Sequence, residues 1–313
     1  MQEFFSRHNG AVISTTFDKY CYVTVRHLPP FFDYASELVY SHIERVSTQS
    51  DIEHPAIREA MKLLDMHDIR LTYEADLPAR TGLGTSSSFA LGMLNAFHTL
   101  KGQYIDKRKL ADEAIYLERT LCKETGGWQD QIAAAFGGLN RIEFSNGGYS
   151  VTPIIISKER KQLLNDNLLL FFTGFARCSS DIQRTVVSKI SDNTDNLLAA
   201  YELVNEAEHV LQDHKRDLDE FGGLLDKAWQ LKRQQSDNIS TSHIDTLYKT
   251  AVSAGALGGK LLGAGGGGFL LFYVVNGKRQ NVLNALGNLM NVPFRFENTG
   301  TQVLYYAPEE YTF

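Results

Sequence analysis

Gly82-Leu83-Gly84-Thr85-Ser86-Ser87-Ser88 decides how this chain is read, because it has the composition of a loop that grips phosphate. Its two glycines let the backbone turn tightly and approach a ligand closely. Behind them Phe89, Met93, Leu94, Phe97 and Leu100 recur at helical spacing, and Gly102 stands where a C-terminal cap belongs. A glycine turn that feeds a helix presents unpaired N–H groups and the positive end of the helix dipole, which together make an anion site. A turn capped by Ser or Thr also starts helices that bind nothing.

A second glycine cluster lies far down the chain: Gly258-Gly259-Lys260-Leu261-Leu262-Gly263-Ala264-Gly265-Gly266-Gly267-Gly268. It is expected to be a loop between a helix, His243 to Leu257, and a strand, Phe269 to Val275. Four glycines in a row cost backbone entropy and suggest no packing purpose of their own. Gly263, Gly265 and Gly268 match the dinucleotide fingerprint as a pattern, but that fingerprint follows a strand and opens a helix, the reverse of the context here. The glycines are better read as letting this loop pack closely beside the first one or beside a nucleotide. Neither loop has the G-x-x-x-x-G-K-[ST] form, which disfavours an ordinary P-loop ATPase.

The 313 residues suffice for two domains, and 43% hydrophobic with 22% charged residues describes an ordinary globular chain. A net charge of −6 supplies no basic face, so general nucleic-acid binding is not expected. There is no apolar run of membrane length and no signal-peptide pattern at Met1-Gln2-Glu3-Phe4-Phe5, so the expected location is the cytoplasm, with no membrane partner. Cys21, Cys122 and Cys178 are widely spaced and odd in number, the pattern of reduced thiols. The histidines show no zinc spacing.

Along the chain, Ala11 to Arg26 reads as extended, Val39 to Val46 as one short strand, and His54 to Met66 as a helix with Pro55 in its first turn. Ile69 to Glu74 is a strand leading to the first glycine loop. Lys107 to Cys122 is a helix with Leu110, Ala114, Leu117 and Leu121 as its stripe and Glu118 close to it. Ile132 to Phe136 is helical, and Leu139 to Phe144 with Tyr149 to Ile156 make a hairpin around Asn146-Gly147-Gly148. Leu168 to Thr173 is a strand, Ser180 to Asp237 is helical, and helix Lys278 to Leu289 and strand Gln302 to Ala307 end an α+β chain. The character changes near residues 155 to 165, which places two domains at 1–160 and 161–313.

With these motifs in order, the chain resembles the GHMP kinases. Leu77-Pro78-Ala79-Arg80-Thr81-Gly82-Leu83-Gly84-Thr85-Ser86-Ser87-Ser88 is similar to their central motif, and Lys260 to Gly268 to their C-terminal glycine motif. Phe17 to Val25, Leu28-Pro29-Pro30-Phe31-Phe32-Asp33-Tyr34 and Gln129-Asp130-Gln131 through Gly138 are similar to the bacterial D-glycero-D-manno-heptose 7-phosphate kinases, and the similarity runs over nearly all of the chain. The resemblance implies an N-terminal nucleotide-binding domain like the second domain of ribosomal protein S5, followed by a ferredoxin-like C-terminal domain. It implies ATP with Mg²⁺, and transfer of the γ-phosphoryl to the anomeric hydroxyl of the heptose 7-phosphate, giving the 1,7-bisphosphate on the way to GDP-activated heptose. A fucose- or galactose-type acceptor and a non-catalytic nucleotide or sugar binder are the alternatives.

On this resemblance Gly82, Leu83, Gly84, Thr85, Ser86 and Ser87, with Gly263, Gly265, Gly266 and Gly267, hold the nucleotide. Ser86 and Glu118 take the metal, with Thr85 and Ser87 as shifts of register, and Asp130 matches the catalytic aspartate that would orient or deprotonate the attacking hydroxyl. Arg80, Lys123 and Arg177 are candidates for the sugar phosphate. Each has a plainer role open to it: Glu118 as a solvated or salt-bridged group, Asp130 as a helix cap, Trp128 as packing. The implied partners are a small-molecule sugar phosphate and ATP, with a homodimer left open. In one departure, the family's opening strand and glycine turn, R-x-P-L-R-I-S-F-x-G-G-G-T-D, has no counterpart here. That element lines the acceptor site.

Overall fold

The computed structural model describes residues 2–79, 81–174, 179–190 and 192–308. In chain order the elements begin with α1 (Gln2–Phe5), β1 (Gly10–Ser14), β2 (Thr16–Phe17), β3 (Cys21–His27), β4 (Ser36–Val39) and β5 (Ile43–Val46). Next come α2 (Pro55–Leu63), β6 (Ile69–Ala75), α3 (Thr85–Leu100), α4 (Lys107–Tyr116), α5 (Gln129–Phe136), β7 (Asn140–Ser145) and β8 (Gly148–Pro153). The remainder is α6 (Lys158–Asp166), β9 (Leu168–Phe172), α7 (Ser179–Ser188), α8 (Thr194–Gln212), α9 (Glu220–Gln234) and α10 (Ser242–Ser253). It closes with β10 (Gly258–Leu261), β11 (Phe269–Tyr273), α11 (Arg279–Ala285), β12 (Met290–Asn291) and β13 (Phe296–Glu297).

Packing divides the chain into two compact units. One holds the chain up to Asp18, Ala79–Leu83 and Gly138–Asn298. The other holds Lys19–Pro78, Gly84–Gly137 and the chain from Thr299 onward.

In the first unit, an antiparallel sheet of order β10-β11-β9-β12 has apolar cores on both sides. That is why β9 is the unbroken apolar run Leu168-Leu169-Leu170-Phe171-Phe172. Side chains alternate across a strand, so Leu169 and Phe171 join Ile244 and Leu247 of α10, while Leu168 joins Val210 and Leu211 of α8. The register pairs Leu270 with Phe171 and Phe272 with Leu169, which puts these four on the same core. A second sheet, β1-β7-β8, turns its hairpin at Asn146-Gly147 as the sequence predicts, and β2 pairs with β13.

Gly258 to Leu261 corrects one expectation. It is an edge strand, not loop, and helix α9 crosses it at backbone contact: a Cβ on Gly258 would lie 2.1 Å from the Gly222 carbonyl oxygen. Helix α10 accordingly ends at Ser253, four residues short of the expected Leu257.

In the second unit, a mixed sheet of order β3-β6-β4-β5 has β4 parallel to β6 and its other pairs antiparallel. The single strand expected over Val39 to Val46 is two, β4 and β5, reversed at Tyr40-Ser41-His42 by a hydrogen bond from Tyr40 N to His42 O of 2.9 Å. Helix α3 lies against β3, where Gly92 sets the spacing: an added Cβ would stand 3.1 Å from Val23 Cγ2. Leu91, Met93, Leu94 and Phe97 are fully buried, and Gly102 takes φ +67 just past the helix end, as the pattern predicts. The strand expected at Gln302 to Ala307 does not form. Thr301 N bonds Ala134 O at 2.9 Å, and the residues after it run without ladder pairing. Among the described residues, no helix is long and apolar enough to cross a membrane.

Candidate active site

Helix α3 starts without a side-chain cap. Its N-cap is Gly84 at φ +74, a left-handed conformation that glycine adopts without a Cβ penalty. The first intrahelical bond runs from Ser88 N to Gly84 O at 2.9 Å, so the N–H groups of Thr85, Ser86 and Ser87 have no acceptor within the helix. The hydroxyls do not serve them either. Ser86 Oγ donates to Glu118 Oε1 at 3.1 Å, and Ser87 Oγ to Glu118 Oε2 at 2.9 Å. The plain reading, a Ser/Thr-capped helix that binds nothing, therefore does not describe this end. Its dipole and N–H groups remain directed outward.

Glu118 reaches these serines through a break in helix geometry. After α4 the chain makes one π-helical turn, Leu117–Leu121, closed by Cys122 N to Leu117 O at 2.9 Å. The extra residue in the turn lets Leu117 and Glu118 both be buried, Glu118 to 3% exposure. Such turns concentrate at functional sites. Gln131 of α5 completes the surroundings by donating Nε2 to Glu118 Oε2 in a short contact. All three side-chain donors are neutral, so the carboxylate is desolvated without a cation. Burial pushes its pKa from 4.5 up to about 7; the hydrogen bond from Gln131 opposes this, and the Glu124 charge adds to it. The solvated or salt-bridged Glu118 considered from sequence is thus corrected.

Asp130 is exposed and is the second residue of α5, two places past the N-cap Trp128, so it is not the helix cap that the sequence also allowed. It lies beside Gly84: a Cβ built on that glycine would be 3.6 Å from Asp130 Cβ and 3.7 Å from its Cγ. The second unit thus gathers Asp130, Glu118, Ser86, Ser87 and the open end of α3. Lys123, between Glu118 and Asp130 in sequence, is exposed and holds φ +55, a conformation costing a lysine about 1 kcal/mol. Arg80 and Arg177 lie outside the described residues.

In the first unit the two glycine stretches meet, as the sequence suggested. A Cβ on Gly263 would lie 2.4 Å from Gly82 Cα, and one on Gly268 would lie 2.3 Å from Thr81 O. Gly265 backs onto Ile239 at 2.8 Å in the same sense. These glycines therefore do serve packing, contrary to the expectation for the four-glycine run. Lys232 Nζ donates to Leu261 O at 2.9 Å and to Gly263 O at 2.5 Å, and Gly268 is clasped by Thr173. Gly266 N is already bonded to Ile239 O at 2.9 Å.

Gln131 was missed by sequence reasoning. A glutamine one position after a candidate aspartate carries no local signal that its side chain will turn inward. Cys21 and Cys122 are free thiols, and Cys178 lies outside the described residues. Among the described residues no group of three or more His, Cys, Asp or Glu side chains could hold a metal by itself.

Two family models match the chain: the GHMP kinases N terminal domain over residues 52–138 and the GHMP kinases C terminal over 206–292. A D-glycero-alpha-D-manno-heptose 7-phosphate kinase of Campylobacter jejuni is 32% identical over 214 residues, covering 68% of this chain and 63% of the relative. A bifunctional fucokinase/GDP-fucose pyrophosphorylase of Arabidopsis thaliana is 29% identical over 217 residues, 67% of this chain and 20% of the relative. The chain thus spans less than two thirds of the length of these relatives. The crystal structure of a D-glycero-D-manno-heptose 1-phosphate kinase from Bacteroides thetaiotaomicron superposes with a TM-score of 0.75 at 23% identity, covering 94% of this chain and 90% of that one, and so shares the fold. With both glycine motifs, the α+β architecture and both family domains in place, the chain belongs to the GHMP kinase family.

Proposed function

We propose that this chain is an ATP-dependent sugar-phosphate kinase that phosphorylates the anomeric hydroxyl of D-glycero-D-manno-heptose 7-phosphate to give the 1,7-bisphosphate, a step toward GDP-activated heptose. The observation that carries the reading is the exposed Asp130 carboxylate set against Gly84 at the uncapped start of α3. An uncapped helix end suits the triphosphate, and a carboxylate beside it suits the attacking hydroxyl.

In this reading the N–H groups of Thr85, Ser86 and Ser87 bind phosphate oxygens, with Gly82 and Gly84 allowing the close approach. Gly263, packed against Gly82, supports that turn. Asp130 accepts the proton of the anomeric hydroxyl as its oxygen bonds to the γ-phosphorus. The bond from that phosphorus to the β–γ bridging oxygen breaks, and ADP leaves with the bonding pair. In the same reading Lys123, which is exposed, would serve the sugar phosphate.

Mg²⁺ fits the donor set. Glu118 and Ser86 offer hard oxygens 3.1 Å apart, and a buried carboxylate with only neutral partners favours a cation. Mg²⁺ commonly takes one or two protein oxygens and completes its sphere with phosphate and water. When bound, Mg²⁺ supplies charge neutralisation to the phosphate oxygens.

The test is ADP release with Mg-ATP and a panel of acceptors, including the heptose 7-phosphate, L-fucose and D-galactose, with a phosphorus spectrum of the product. Release driven by the heptose phosphate with a new anomeric phosphate supports the reading. Release driven by fucose instead moves the acceptor toward the fucokinase relative. Nucleotide binding with no transfer to any of these acceptors would refute the sugar-phosphate reading proposed here.

A further inference from the structure

Gln131 is buried to 5% exposure although its neighbour Asp130 is exposed, because successive side chains on a helix diverge by about 100°. Its Nε2 donates to Glu118 Oε2, while its Oε1 is buried with no hydrogen-bond partner. An orphaned acceptor at that depth is unfavourable unless something completes it, so it calls for an explanation. Three elements converge on the Glu118 carboxylate: α3 through Ser86 and Ser87, the π-helical turn that carries it, and α5 through Gln131. Among the described donors to that carboxylate, only Gln131 belongs to the helix that bears Asp130. Its amide is therefore the direct tie between the two acidic groups.

We propose that Gln131 is a positioning residue for the cation site. Its N–H holds the Glu118 carboxylate in the orientation that presents an oxygen to the cation, and its Oε1 is the acceptor reserved for a water carried by that hydrated cation. The inference rests on the reading of Glu118 as a cation ligand. Groups that orient a ligand commonly change metal affinity by about 10–100-fold when removed.

The test compares ADP affinity by titration calorimetry in EDTA and in MgCl₂, for the wild type, Gln131→Met and Glu118→Gln. Methionine keeps the length of the side chain and removes both polar atoms. Circular dichroism and metal-free ADP affinity within about twofold of wild type, with the Mg²⁺-dependent gain reduced at least about tenfold, is the result expected. If Gln131→Met keeps the full gain while Glu118→Gln loses it, the role of Gln131 is overturned and the reading of Glu118 stands. If Glu118→Gln also keeps it, that reading falls and the inference with it. Should Gln131→Met fail to fold, Gln131→Asn takes its place. One methylene shorter, it should lose the gain as well, and retention of the gain would overturn the proposal.

Discussion

Replacing Glu118 with glutamine should make the ligand-free protein more stable at pH 8. The carboxyl is 3% exposed, and its partners are two serine hydroxyls and an amide. Burial holds its pKa at about 7 in the folded chain against 4.5 for an ordinary glutamate. A raised carboxyl pKa means that folding favours the protonated form. The stability it contributes is fully present below about pH 4.5 and is lost as the pH rises through about 7, a change of about 3 kcal/mol. Glutamine, neutral throughout, removes this dependence. At pH 5 the variant and the wild type should differ by less than about 1 kcal/mol, and at pH 8 the variant should unfold roughly 5 °C higher.

The assay is thermal unfolding followed by circular dichroism at both values of pH, with and without Mg²⁺ and ADP. Adding ligand at about 100 times its Kd should raise the wild type by about 2.7 kcal/mol and so bring the two proteins to nearly equal stability. Equal loss of stability in both between pH 5 and pH 8, or a variant less stable at pH 8, would show that desolvation does not dominate at Glu118. The cation argument would then lose its physical basis.

Asp130→Asn should lower kcat by about 10²- to 10⁴-fold while leaving the KM for ATP within a few fold, because it removes a proton acceptor and leaves the helix end intact. Unchanged kcat in steady-state assays would remove Asp130 from the chemistry. Gly263→Ala puts a Cβ 2.4 Å from Gly82 Cα at φ +70 and should cost at least about 2 kcal/mol in urea unfolding, whereas Gly84→Ala at φ +74 meets only ordinary contacts and should cost about 1 kcal/mol. Similar losses for the two would contradict the backbone contact between the glycine stretches. Lys123→Gly relieves φ +55 and should leave unfolding within about 1 kcal/mol of wild type while raising the KM for the sugar phosphate about tenfold or more. A KM that does not move would take Lys123 out of the acceptor site.

Much was legible in the sequence because it is local. The period of Phe89, Met93, Leu94 and Phe97 announced α3, Gly102 its end, Pro55 the start of α2, and Asn146-Gly147 the β7–β8 turn, each a matter of side-chain spacing or backbone freedom within a few residues. The two glycine stretches were also suggestive together, since an uninterrupted glycine run implies close approach by something. Local signals failed where a distant partner decided the outcome. Gly258 to Leu261 is a strand because β11 pairs with it, and Gln302 to Ala307 is not one because no strand among the described residues pairs with it.

The site divides in the same way. The sequence by itself determined which residues could do the chemistry: a glycine turn, a hydroxyl run, Glu118 and Asp130. Only the tertiary structure decided that Ser86 and Ser87 turn their hydroxyls to Glu118 instead of capping α3, that a π-helical turn buries that acid, and that Gln131 faces it from α5. Those contacts span 13 to 32 residues of chain. Hydrogen-bond partners at that distance are chosen by packing, which no spacing within one element records.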